Sequence, residues 1–187
     1  MPSSIHVERK RNCTEISAQD TQEIIGVWSP ELASRNMAQR FGLGASLWLI
    51  KFEDKLAGYG WTLQGRTVEP HYLHLGDEDV HCFDFHVLSA YRGRGMNPLL
   101  VNFILGQLAN DCAGRAFIEA AEWNQAQLAS LRKTAFRYLG RARKVTVLGN
   151  TIVSWSREQD VSESERNRDS LASASGNKSS GIAGLKP

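Results

Sequence analysis

Between Phe83 and Pro98 an apolar strand pattern runs into Arg92-Gly93-Arg94-Gly95 and then straight into a helical pattern. Two glycines one residue apart let main chain approach a ligand, because no Cβ intervenes and positive φ is open to them. A helix starting there aims backbone N–H groups and its positive end at one point in space. The matching ligand is a phosphate or pyrophosphate, with Arg92 and Arg94 adding charge. Pro98 occupies the place of the third glycine of a dinucleotide fingerprint, which excludes that motif. A P-loop is excluded too, since no Gly-Lys-Ser/Thr follows. Asn97 and Pro98 read as an N-cap and a first helical residue. Behind them Leu99, Leu100, Phe103, Ile104 and Leu108 form a helical apolar stripe.

Arg92, Gly95 and Asn97 fall on the three defined positions of Arg/Gln-x-x-Gly-x-Gly/Ala, and the segment resembles the acyl-CoA loop of the GNAT superfamily of N-acetyltransferases. Asn97 departs from that pattern, which usually has Gly or Ala. A second stretch agrees, Ile118-Glu119-Ala120-Ala121-Glu122-Trp123-Asn124, where the family often places a cofactor-contacting Asn. Lys133-Thr134-Ala135-Phe136 resembles the Lys-x-Gly-Phe end of the family's next helix. The resemblance covers roughly residues 45–155. It implies acetyl-CoA as co-substrate, no metal, and a pantetheine arm lying between splayed strands near 80–88 and 114–121. Pyrophosphate would sit on amides of Arg92, Gly93, Arg94, Gly95, Met96 and Asn97, with Asn124 also at the cofactor. Backbone N–H groups near Val87 and Leu88 would hold the oxyanion. The Tyr that many members place seven residues after the Asn is Leu131 here. A thiol with a pKa near 8.5 leaves with little help, so the missing acid is survivable.

A base matters more. An alkyl ammonium titrates near 10.4, so at neutral pH on the order of one amine in a thousand is nucleophilic. Strand alternation puts His81, Phe83, Phe85 and Val87 on one face, and Cys82, Asp84 and His86 on the other. Family usage four or six residues before the Val points to His81 and to the Phe83 slot on the acceptor side. A β-bulge would shift the alternation and make Asp84 the candidate; both residues stay open. Glu119 and Glu122, with Asp77, Glu78 and Asp79 near the opposite strand, would make an acidic mouth for a cationic amine.

Asp-Phe-x-Val before Tyr-Arg-Gly-x-Gly, with Ala-Glu-Trp-Asn later, looks like diamine acetyltransferases. Other stretches look like relatives associated with surface-polysaccharide synthesis. The expected activity is acetyl transfer to a small amine or amino sugar. Two alternatives stand beside it. One is a silent acyl-CoA-binding sensor or scaffold, favoured by Leu131 and Asn97. The other is a sugar acetyltransferase using Trp48, Trp61, Trp123 and Tyr72 as stacking platforms.

The elements that must position these groups are legible in outline. Thr21–Phe41 reads as helical with a break at Ser29-Pro30. Ser46–Lys51, Leu56–Leu63, Val80–Leu88 and Gly114–Ala121 read as strands, and Pro98–Asn110 and Asn124–Thr134 as helices. Val145–Trp155 should complete the sheet, with Arg137–Arg143 as its hairpin partner. The fold class is mixed α/β, a mostly antiparallel central sheet with helices on both faces and splayed central strands. Residues 1–156 form the acyltransferase domain, and the Ser-rich stretch 157–187 is expected to be a disordered tail.

The 187 residues carry a net charge of +2, so nothing calls for nucleic acid or a membrane surface. Arg9-Lys10-Arg11 reads as a solvated strand end. No apolar run approaches the roughly 20 residues that span a bilayer, and no signal peptide is visible. Cys13, Cys82 and Cys112 lack any paired spacing, which suggests a reduced, cytoplasmic protein. His71, His74, His81 and His86 lack metal-ligand spacing. A homodimer is left open.

Overall fold

A computed structural model describes residues 4–27, 30–68, 72, 74–147 and 150–156. The chain divides into two compact units, Met1–Phe136 and Arg137–Pro187. The expected tail, 157–187, lies outside the described residues, as do Ser29 and His71.

The first unit holds β1 (Ile5–Lys10), α1 (Ala18–Gly26), α2 (Pro30–Gly42), β2 (Ser46–Phe52) and β3 (Lys55–Gln64). β4 (Val80–Val87), α3 (Met96–Asn110), β5 (Ala116–Ile118) and α4 (Gln125–Leu131) follow. The strands form one sheet in the order β1-β2-β3-β4-β5. The first three junctions are antiparallel and the last is parallel.

Both sheet faces are covered. On one, Trp48, Ile50, Ala57, Val80 and Cys82 pack with Met96, Leu100, Ile104 and Leu108 of α3. On the other, Leu47, Leu49, Leu56, Tyr59, Trp61 and Leu63 pack with Ile24 of α1 and Met37 of α2. Each buried Leu, Ile, Val or Met among them contributes about 1.5–3 kcal/mol over exposure. The continuous apolar run of β2 follows from burial on both sides. Trp48 and Trp61 are 2% and 0% exposed, core residues rather than open sugar platforms, whereas Trp123 is 84% exposed. Arg9 is not merely solvated: it bonds Ser46 Oγ and Asp111 Oδ2 and lies over the Trp48 ring.

Three differences from the sequence reading affect the site. First, α3 begins at Met96, and its N-cap is Gly95 in the left-handed region (φ 75°), not Asn97. Asn97 instead donates through Nδ2 to Ser130 Oγ of α4 at 2.8 Å. Second, β5 is only three residues long and pairs β4 only through Val80, His81 and Cys82. Beyond Cys82 the β4–β5 ladder stops, so Phe83–Val87 lack β5 pairing on the side where the opening is expected. Third, β4 carries a bulge. Trp61 faces Phe83 but Tyr59 faces His86, so three steps on β4 match two on β3. Asp84 absorbs the extra residue at φ 50°.

In the second unit β6 (Arg141–Val147) and β7 (Asn150–Ser156) pair as an antiparallel hairpin. A hairpin is expected here, but its turn is displaced: Val145 and Val147, read from the sequence as part of the second strand, belong to the first and pair with Ile152 and Asn150. The two strands are described as a two-stranded sheet of their own.

Candidate active site

The bulge changes which residues share a face. Before it, His81 stacks on Phe83 with ring centroids 4.9 Å apart, and Phe83 packs in the core under α1 and α2. After it, Phe85 and Val87 pack on the α3 face, contrary to simple alternation. Asp84 and His86 therefore join His81 and Phe83 on the α1–α2 side. His86 stacks on Tyr59 at 5.7 Å, and burial followed by the charge of Arg92 lowers its pKa, against the pull of Asp84.

Asp84 meets Arg40 from the last turn of α2, with Nη1 donating to Oδ2 at 2.5 Å. The guanidinium carbon lies 5.1 Å from the centre of the Trp61 ring and 5.3 Å from that of Phe83. Beside this pair is a cavity of about 110 Å³. Its helical wall is Ile24, Leu32, Ala33, Asn36 and Met37, its sheet wall Tyr59 and Trp61, and Arg40 and Asp84 supply the charges. Arg40 and Asn36 were not singled out in the sequence. A helix pattern shows which positions face inward but not which strand residue they meet.

His81 is differently placed. Its side chain is 6% exposed, and Nε2 lies 3.0 and 3.1 Å from the two carboxylate oxygens of Glu119, just beyond β5. The other ring nitrogen is buried. The pair ties β4 to β5 where the strands begin to part. Burial and the charge of Glu119 push the neighbouring Cys82 thiol up to about 12. Asp79 is occupied as well: bonds from Arg115 and from the Gly76 amide hold its carboxyl down to about 2. Asp77, Glu78 and Glu122 are exposed.

At the other end of the opening, Gly93 and Gly95 have φ of 76° and 75°, with nothing within 4 Å of where a Cβ would stand. The first bond inside α3 runs from Leu99 N to Gly95 O, so the Met96 and Asn97 amides lie ahead of the helical ladder. Arg92 and Arg94 are exposed beside them, and Arg92 Nε also donates to Val87 O. An open turn with positive-φ glycines, early helix amides and two arginines fits a pyrophosphate. Leu88 N is spent on Ala57 O at 2.9 Å. The adjacent Val87 amide therefore points to the opposite edge, toward the opening. Asn124 caps α4 by accepting from Gln127 N.

The sequence profile of the Acetyltransferase (GNAT) family matches residues 13–136. The chain belongs to this family. It is thus a GNAT acetyltransferase, and solved structures share its fold. AAC(6')-Iy in complex with the bisubstrate analogue CoA-S-monomethyl-acetylneamine superposes with a TM-score of 0.60 at 10% identity, over 78% of this chain and 99% of that one. A Bacillus subtilis acetyltransferase in complex with CoA gives 0.55 at 13% identity, over 82% and 98%. An aminoglycoside acetyltransferase from an uncultured soil metagenomic sample, in complex with sisomicin, gives 0.52 at 14% identity, over 80% and 97%. Identities this low speak for the GNAT fold alone. No curated protein sequence matches significantly. Among the described residues, no helix is long and apolar enough to cross a membrane. Nor do any three His, Cys, Asp or Glu residues there form a metal-binding group.

Proposed function

We propose that this GNAT chain transfers acetyl from acetyl-CoA to the nitrogen of a small amine or amino sugar, with Asp84 as the group that receives the amine. The observation that carries this reading is the β4 bulge. It turns a carboxylate into a cavity on one side of the sheet, while the Val87 amide faces the strand opening. Acetyl-CoA is supported by the Arg92–Asn97 turn and by the opening beyond Cys82, which together suit a pyrophosphate and a pantetheine arm. Three free cysteines, two of them exposed, fit a reducing cytoplasm.

In this scheme Asp84 orients the amine and accepts its proton. That transfer becomes easier once nitrogen bonds to the carbonyl carbon and grows acidic. The Val87 amide holds the developing oxyanion. The C–S bond then breaks, and the thiolate leaves and takes a proton from solvent, since Leu131 offers none. His81 is a positioning residue here. With one nitrogen on Glu119 and the other buried, it holds the fork of β4 and β5 rather than reaching an acceptor.

The test is CoA release, followed by chromatography, with a panel of amines. The wild type should turn over, and Asp84→Asn should lose about 10²–10⁴ in kcat with acetyl-CoA affinity kept. Full activity in Asp84→Asn would remove Asp84 from the reaction. Acetyl-CoA binding without turnover of any acceptor would instead identify a silent sensor or scaffold.

A further inference from the structure

We infer that the acceptor is a small apolar α-amino acid, its ammonium placed on Asp84 and its carboxylate held by Arg40; this rests on the acetyl-transfer reading above. Arg40 is not a bystander to the cavity. It lines it, it contacts Asp84, and two aromatic rings hold its plane in place. A guanidinium has five N–H donors in a rigid fork that matches a carboxylate. One of those donors engages Asp84.

Charge decides between acceptor classes. Asp84 is already neutralised by Arg40, so a simple amine entering as a cation meets a resident cation competing for the same carboxylate. A polycation fares worse, because Asp84 is the sole carboxylate among the described cavity residues. A zwitterion brings its own anion. As its ammonium takes Asp84, its carboxylate takes Arg40, and the four charges alternate in sign.

Size and polarity agree. An engineered apolar cavity of about 150 Å³ binds benzene, so the 110 Å³ here matches a compact apolar side chain. Ile24, Leu32 and Met37 offer it apolar walls. The reaction balances as above. The ammonium first gives one proton through Asp84 to solvent. The freed amine nitrogen bonds the acetyl carbon, the C–S bond breaks, the thiolate takes up a proton, and the second N–H proton leaves through Asp84. An N-acetyl amino acid and CoA thiol are released.

Three matched probes test this: valine, valinamide and isobutylamine. Each is titrated calorimetrically into the full chain saturated with CoA, and each is assayed for turnover with acetyl-CoA. Valine should bind about 10- to 100-fold more tightly than either analogue, as befits a hydrogen-bonded charge pair. In Arg40→Gln that ratio should fall toward one. Isobutylamine binding as tightly as valine would overturn the inference, and if Arg40→Gln fails to fold, the wild-type ratio still decides. Selective valine binding with no turnover of any acceptor would uphold the carboxylate site and sink acetyl transfer. Faster turnover of isobutylamine than of valine, with no binding preference for valine, would do the reverse.

Discussion

Gly58 of β3 offers a sharp test of how β4 is held. A Cβ built there would stand 2.6 Å from the carbonyl oxygen of His86 and 3.2 Å from Val87 Cα, both backbone atoms. Ordinary contact begins near 3.4 Å, so in Gly58→Ala the β4 main chain must retreat by about 0.8 Å. Overpacking of this kind costs about 1–3 kcal/mol. For a domain of this size that is a Tm loss of roughly 2–12 °C. The displaced stretch carries the Val87 amide, and a misplacement near 1 Å costs on the order of 10² in rate. Gly58→Ala should therefore lower both Tm and kcat, the latter by tens-fold. Gly60→Ala is the control. Its Cβ would meet the Phe85 ring at 2.5 Å, and that half-buried side chain can swing aside. It should lose stability with much less loss of rate. Differential scanning calorimetry and CoA release under saturating substrates read the two effects separately. An unchanged Tm and kcat in Gly58→Ala would refute the close β3–β4 approach on which the oxyanion assignment depends.

Two further perturbations address other parts of the molecule. Gly95→Val places a β-branched residue at φ 75° in the turn, so acetyl-CoA affinity should fall by more than about tenfold while the domain stays folded, by titration calorimetry and circular dichroism. Unaltered affinity would detach this turn from the ligand. Acid should destabilise the fold through Glu8 and Asp79. Burial alone would raise the Glu8 pKa, but bonds from Lys10 and Lys51 overcome it and hold it at about 2, and Arg115 does the same for Asp79. Both values lie below the unfolded ones, so this stabilisation is complete above about pH 5 and is lost toward pH 2. Urea midpoints across that range should fall with pH, and a flat profile would contradict the pairing.

The Arg92–Asn97 turn into α3 was legible because its signals are local: glycine spacing, flanking arginines and a helix start within six residues. The cap was misread for a related reason. Asn is a good N-cap in isolation, but Asn97 finds Ser130, 33 residues away, and Gly95 can take the left-handed cap conformation itself. Strand alternation failed at Asp84 because Phe83, Phe85 and Val87 are all apolar and look like one face. Their partition depends on the opposing strand, where Gly58 and Gly60 leave room for a bulged neighbour. His81 and Glu119 each attracted notice, yet only the parallel pairing of β4 with β5 brings them together. Arg40 was invisible for the same reason, its partner lying 44 residues downstream.

A strand with one free edge invites completion, and sheets ordinarily grow until something stops them. Here the stop is built into the strand itself. The left-handed backbone conformation of the bulged Asp84 (φ 50°) puts the second half of β4 out of step with the first, so an extension of β5 would not continue the same ladder. The β4 edge beyond Cys82 is thereby left without a β5 ladder, over about the length of half a strand.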